Sequence, residues 1–199
     1  RNIYRNIRKF ITFQLTVNVA AVSATLVSAL LGQEPPFTIV QMLWINIIMD
    51  TLAALAFASN KPTEDLKRKK PRDVTEGIFD KHMTDYIFGM GFSQFIAIFF
   101  ATSIGMNPSR IFTGFIIMQL ISMIIVQRYQ TEEKVNNKIF WMMFTIIIVV
   151  QVIATEVAYK LFGLQNAMGI MDYVMSLAFA FLPLVIFSIV NMVRSVKTK

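Results

Sequence analysis

The chain has 199 residues, of which 55% are hydrophobic and 16% are charged. Its mean hydropathy of +0.57 lies outside the range of soluble domains and indicates a membrane protein. Its net charge of +7 does not indicate nucleic-acid binding, because the basic residues fall between apolar runs and form no single soluble face. The sequence has no cysteine, which excludes disulfide bonds, thiolate metal sites and cysteine nucleophiles in these residues.

Six apolar runs are each long enough to cross a bilayer of about 30 Å, which takes about 20 helical residues. They cover residues 10–31, 37–59, 84–105, 111–129, 139–162 and 173–193. The sequence therefore predicts an all-α, polytopic bundle of six transmembrane helices. The third run carries Gly89, Gly91, Ser93 and Gln94, small and polar residues that are typical of a helix packing face.

The basic residues alternate between the two sides of these spans. Only Arg110 and Lys160 fall on one side, and the other 17 of the 19 Lys and Arg residues lie in segments 1–9, 60–83, 128–138 and 194–199. By the positive-inside rule both termini are expected in the cytoplasm. The expected organisation is a cytoplasmic stalk entry at 1–9, a transmembrane hairpin at 10–59, a cytoplasmic basic loop at 60–83, and a supporting four-helix region with a short tail at 84–199.

The second run, VQMLWINIIMDTLAALAFA at 40–58, carries a carboxylate, Asp50, near its middle. An ionised group at the centre of a bilayer costs at least about 2.5 to 3.5 kcal/mol, so such residues usually line an ion path or have a partner. Asn46 lies on the same helical face, four residues earlier. Asn18 of the first run lies about 20 Å from the turn that joins the two runs, at the same depth as Asp50.

Carboxylate and amide oxygens of this kind suit calcium, and would also serve a proton or another cation. For Asn18, a plain interhelical hydrogen bond is an equal alternative. Because calcium takes 6 to 8 oxygens, further ligands are expected from backbone carbonyls or from helices outside this chain. Nothing local predicts unwinding near Asp50, since Thr51 and Leu52 follow it and not Gly or Pro.

At these residues the sequence closely resembles the C-terminal membrane half of P-type calcium-transporting ATPases, most closely the plasma-membrane type. The matching stretches are FITFQLTVNVAAV at 10–22, VQMLWINIIMDTLAALAFA at 40–58, the following PTEDLKRKKP and, more weakly, FIIMQL at 115–120. The resemblance covers the whole length in span order and is most specific over the first third. It implies that the spans are helices five to ten of a pump, and that Asn18, Asn46 and Asp50 hold the transported calcium.

The resemblance further implies an ATP-driven translocase that exports calcium across the plasma membrane, with no catalytic residue in this chain. No Asp-Lys-Thr-Gly-Thr sequence or Gly-rich phosphate loop is present, so ATP and magnesium are expected on parts outside these residues. The chain is expected to be a piece of a longer pump. Its expected partners are the lipid bilayer, the N-terminal pump half with its cytoplasmic domains, and a regulatory membrane subunit, but no nucleic acid.

Three positions depart from the two-site reticulum type of this family. That type has an acid on its fifth helix, where this chain has Ala21, and another on its eighth helix, where this chain has Gln119. It also has a threonine beside its sixth-helix aspartate, where this chain has Met49. The resemblance therefore implies one calcium per cycle. Three alternatives stay open: a Golgi-type calcium and manganese pump, which shares the Asn–Asp pair, a six-helix ion channel or carrier, and a non-transporting membrane scaffold.

Overall fold

The computed structural model describes residues 2–62, 77–129 and 137–197, which form helices and no β-strand. The helices are α1 (Asn2–Leu30), α2 (Ile39–Ile47), a π-helical turn (Ile48–Ala53), α3 (Ala54–Ala58), α4 (Lys81–Ser103), α5 (Pro108–Tyr129), α6 (Lys138–Glu156) and α7 (Ile170–Lys197). Residues 63–76 of the expected basic loop and residues 130–136 lie outside the described part of the chain.

Within the described residues, six helical stretches are long and apolar enough to cross a membrane. One of them, Ile39–Ala58, is the continuous rod made of α2, the π-helical turn and α3. The prediction of an all-α bundle with six spans is thus confirmed. Two boundaries differ from the prediction. Helix α1 is already helical at Asn2. Helix α6 ends at Glu156, whereas the sequence predicted helix to residue 162, because residues 157–163 form turns.

Successive spans run in opposite directions, so the bundle has two ends. We call them the stalk end, where α1 begins and α3 ends, and the turn end, where residues 31–38, 104–107 and 157–169 connect the spans. Side chains cap the helices that begin at the stalk end. The Asp80 carboxylate accepts from Met83 N–H (2.7 Å) at the start of α4, and Asn137 accepts from Ile139 N–H (3.1 Å) at the start of α6, which satisfies donors that a helix leaves free.

Glycine ends two of the spans at the turn end. Gly32 and Gly105 have φ angles of 67° and 70°, a left-handed conformation that costs glycine little because it lacks a Cβ. After Gly105, the N–H of Met106 donates to the carbonyl of Ala101 at 2.9 Å, closing the helix end. These two turns reverse the direction of the chain within a few residues, between α1 and α2 and between α4 and α5.

Small residues let the spans approach closely. A Cβ added to Gly91 of α4 would lie 2.7 Å from Val19 Cγ1 of α1, and one added to Gly114 of α5 would lie 2.5 Å from Phe179 Cδ1 of α7. Ser93 and Gln94 are also buried on α4, so the predicted packing face of the third run is confirmed. Such close contacts replace the hydrophobic driving force that helices lack inside a bilayer.

The most enclosed span is α5, in which 72% of the 18-residue apolar stretch is buried. In Ile39–Ala58 the corresponding share is 29%. Helix α5 contacts α1, α4, α6 and α7. The apolar side chains of α1 and α2 that point away from this core remain exposed, among them Ile3, Leu43 and Ile47. The span that carries Asp50 therefore lies at an edge of the bundle with one face open.

Candidate cation-binding site

The turn-end half of the Asp50 span is fixed by polar contacts with α6 and the turn that follows it. Thr38 and Gln41 form a reciprocal capping box at the start of α2. The same Gln41 donates its Nε2–H to the carbonyl of Phe162 at 2.9 Å, and Trp44 donates its indole N–H to Oε1 of Gln151 at 3.1 Å. Helix α2 is therefore held in one rotational position where it meets α6.

Asp50 lies in the middle of the π-helical turn, Ile48–Ala53. The sequence around Asp50 contains no Gly or Pro that would predict this change of helix geometry. A single π-helical turn inside an α-helix is rare and is found frequently at functional sites, because it widens the backbone and re-aims the side chains around it. The change of backbone geometry coincides with the one ionisable side chain of this span.

The structure places Asn46 and Asp50 on the open face of the span, where both side chains are exposed, and leaves Asn18 of α1 half-buried. Helix α1 contacts the π-helical turn directly. Within the described residues, no hydrogen bond or ion pair is formed by these three side chains, so their oxygens are available to a ligand. The same residues contain no cluster of three or more His, Cys, Asp or Glu side chains that would hold a metal ion by itself.

One carboxylate and two amides supply fewer oxygens than a calcium ion takes. The remaining donors therefore have to come from the backbone of the widened turn or from a further segment that packs on the open face. A carboxylate exposed on the side of a membrane span is costly in lipid, which itself requires that this face be covered. The described residues thus present an exposed carboxylate and an exposed amide on this face, with the half-buried Asn18 on the adjacent helix.

Gln14 was missed by the reasoning from sequence. It precedes Asn18 by one helical turn on α1, and its Oε1 atom is shielded from solvent with no hydrogen-bond partner among the described residues. The spacing of four residues between Gln14 and Asn18 would have been the signal for it. Gln14 therefore lies on the same side of α1 as Asn18, one turn nearer the stalk end.

The three positions that depart from the two-site pattern add no acidic oxygen. Gln119 is fully buried in α5 and donates its Nε2–H to Oε1 of Gln94 on α4 at 3.1 Å. Ala21 is buried in the core, and the side chain of Met49 lies outside the described part of the structure. Gln119 thus packs between α4 and α5 and bonds to another amide.

Comparison with known proteins places this arrangement in a family. Residues 34–193 match the family model described as "Cation transporting ATPase, C-terminus". The chain is 36% identical to plasma membrane calcium-transporting ATPase 1 of Homo sapiens over 187 residues, which cover 82% of the chain and 15% of that protein.

It is also 40% identical to plasma membrane calcium-transporting ATPase 2 of Oreochromis mossambicus over 159 residues, or 70% of the chain and 14% of that protein. The chain therefore spans about a seventh of the length of these relatives. With most of its residues matched by the family model and by these relatives, the chain belongs to the cation-transporting ATPase C-terminal family.

Proposed function

We propose that this chain is the membrane part of an ATP-driven calcium pump that exports calcium from the cytoplasm across the plasma membrane. The observation that carries the proposal is Asp50, an unpaired carboxylate on a π-helical turn in the middle of a membrane span. The relatives named as plasma membrane calcium-transporting ATPases support calcium as the cargo and the plasma membrane as the location. Both termini are then cytoplasmic, as the distribution of basic residues favours.

Asn18, Asn46 and Asp50 act together as calcium ligands in this proposal. The carboxylate supplies the charge, and the two amides supply neutral oxygens that replace water around the ion. Backbone carbonyls of Ile48–Ala53 are the nearest further oxygens, since the π-helical turn departs from the regular i to i−4 bonding of the helix. A chemical step outside this chain then shifts α1 and α2 and opens the site to the other side of the membrane.

The open face is the surface on which the N-terminal pump half packs. Between α1 and α3 the face contains a largely apolar cavity of about 290 Å³ that is lined by Phe10 and Ala54 among others, and Leu43 and Ile47 continue it towards the turn end. The missing half brings the phosphorylation and nucleotide-binding domains, which bind ATP and magnesium, and it completes the ligand shell. A regulatory membrane subunit is a further proposed partner, alongside the lipid bilayer.

One calcium per cycle is proposed because a second site has no acid to build it. Ala21 is apolar, and the Gln119 amide is neutral and bonded to Gln94. A divalent ion held only by such groups would keep its charge uncompensated in a medium of low dielectric constant. The measured ratio of calcium transported to ATP hydrolysed tests this number directly, and a ratio of two would contradict it.

The proposal is tested with Asp50→Asn in the full-length pump. We expect no calcium-dependent phosphorylation from ATP at micromolar calcium, while the protein still inserts into the membrane. The matched control is Asp172→Asn, because Asp172 is bound by Arg110 at 2.6 Å at the turn end, away from the π-helical turn. Normal phosphorylation of Asp50→Asn at micromolar calcium would refute the assignment of the site.

Each alternative predicts a different result. A Golgi-type pump would be phosphorylated as readily with manganese as with calcium. A channel or carrier would move calcium in vesicles without ATP. In a non-transporting scaffold, Asp50→Asn would change only stability.

A further inference from the structure

Asn60 is a buried amide just past the end of α3, about 15 Å along the helix from Asp50. Its side chain and that of Gln127 on α5 form a two-way pair: Asn60 Nδ2–H donates to Gln127 Oε1 at 2.8 Å, and Gln127 Nε2–H donates to Asn60 Oδ1 at 2.6 Å. Asn137, which precedes α6, donates a further hydrogen bond to Asn60 Oδ1 at 3.0 Å. The Asn60 side chain therefore fixes the end of the Asp50 span to α5 and α6.

The backbone of the same residue is held by α1. The Asn60 carbonyl accepts from Nδ2 of Asn2 at 2.7 Å and from Nδ2 of Asn6 at 3.1 Å. Lys9, also on α1 and buried, donates to the carbonyl of Gln127 at 2.8 Å. At the stalk end, the Asp50 span is thus joined to α1 through the Asn60 backbone and to the supporting helices through the Asn60 side chain.

We propose that Asn60 is a positioning residue for the cation site: its amide pair with Gln127 holds the stalk end of the Asp50 span against α5 and α6 and thereby sets the calcium affinity at Asp50. The proposal rests on the proposed function. Trp44 and Gln41 already fix the turn-end half of the span, so the amide pair completes a second fixed point beyond the π-helical turn.

The physical reason lies in how a span behaves between two fixed points. With both ends held, the rotation of α3 and hence the direction of the Asp50 carboxylate are determined. With the amide pair broken, the stalk end is held by fewer contacts, and α3 can rotate more freely on the π-helical turn. A smaller fraction of molecules then presents the ligands together, which lowers the apparent affinity by that fraction. A buried hydrogen bond contributes about 0.5 to 1.5 kcal/mol, so we expect a loss of about 3- to 10-fold.

The test exchanges the two amides. Asn60→Gln lengthens one side chain by a methylene group and Gln127→Asn shortens the other, so each single variant breaks the spacing and the double variant restores it. In the full-length pump we measure the calcium concentration that gives half-maximal phosphorylation from ATP. We expect each single variant to raise it about 3- to 10-fold, as the loss of one hydrogen bond implies, and the double variant to return it to about the unmodified value.

The control is Thr113→Val at the opposite end of α5, where the Thr113 hydroxyl contacts only the sulfur of Met168 among the described residues. It should leave the half-maximal concentration unchanged. Two results would overturn the inference and leave Asn60 with a structural role alone. The single variants could lower the amount of phosphorylated protein without changing the half-maximal calcium concentration. The double variant could raise that concentration by as much as the two single variants combined. If the unmodified pump shows no calcium-dependent phosphorylation at all, the proposed function fails instead.

Discussion

At the scale of single residues, Asp50 differs from Asp80 and Asp172 in the groups that surround its carboxylate. Asp80 is bound by Arg8 and by the N–H of Met83, and Asp172 by Arg110 and by the N–H of Gly169. Both acids begin helices, where a negative charge is stabilised by the helix dipole. Asp50 has no such partner among the described residues and lies in the middle of a span. Its charge therefore has no compensating group among the described residues.

Asp80 gives a prediction about stability. Burial opposes its ionisation, but the hydrogen bond from Met83 and the Arg8 guanidinium outweigh this and hold the pKa of the carboxyl below its usual value. Replacing Asp80 by Ala removes both the helix cap and the ion pair, and we expect a loss of about 1 kcal/mol in unfolding free energy. Asp80→Asn should lose less, because Asn caps a helix as well as Asp does and an exposed ion pair contributes little.

The pH dependence follows from the direction of that shift. A carboxyl whose pKa is lowered by folding stabilises the protein above its unfolded pKa of about 3.9, and this contribution is lost as the pH falls through the folded value. Thermal unfolding measured between pH 7 and pH 3 checks this. The difference between the unmodified protein and Asp80→Ala should shrink at the acidic end, and a difference that grows there would contradict the assignment.

At the scale of elements, the sequence predicts the spans and the Asp50 face but not the π-helical turn. Span positions follow from local hydropathy, and the placement of Asn46 with Asp50 follows from helical periodicity. The fixed points on either side of the turn come from contacts that are distant in sequence: Trp44 binds Gln151, and Asn60 binds Gln127, 107 and 67 positions away. No local pattern in Ile48–Ala53 carries that information. The same distance along the chain hides the role of Asn60.

The crossing of α1 and α4 gives a prediction at this scale. A Cβ at Gly91 would lie 2.7 Å from Val19 Cγ1 and 3.2 Å from the backbone oxygen of Thr16, which cannot move without shifting α1. We expect Gly91→Ala to lower the unfolding free energy by about 1 to 3 kcal/mol, although Ala is the better helix former. Gly89→Ala is the comparison, since its Cβ would lie 2.6 Å from Cε2 of the Phe187 ring and would meet no backbone atom.

Thermal inactivation of the purified pump in detergent measures both variants. Gly91→Ala should be inactivated at a lower temperature than the unmodified protein, and Gly89→Ala should be less affected than Gly91→Ala, because a side chain moves more easily than the backbone of α1. Equal stability of Gly91→Ala and the unmodified protein would mean that α1 and α4 do not cross this closely.

At the scale of the whole molecule, the bundle divides into a supporting part and a part that is open on one side. The supporting part is centred on α5, and its outer spans keep exposed apolar faces like those of α1 and the Asp50 span. The open face of the Asp50 span also carries the exposed side chains of Asn46 and Asp50. At the two ends of the Asp50 span, the side chains of Gln41, Trp44 and Asn60 bond to the supporting side, while the Asn60 carbonyl bonds to α1. In the proposed pump, a movement of the N-terminal half would act on the open face, and the supporting helices would hold the other side still.

The proposed pump requires that the stalk end face the cytoplasm, which leads to a prediction about topology. Because these residues contain no cysteine, single cysteines report position without further changes in this part of the chain. We expect Gln33→Cys and Gln165→Cys, both at exposed turn-end positions, to react with a membrane-impermeant maleimide in intact cells that express the pump with cysteines elsewhere replaced. Lys61→Cys, exposed at the stalk end, should react only after the membrane is permeabilised. The reverse pattern would place Asn60 and the start of α1 outside the cell, where no ATP-driven domain could act on the Asp50 span.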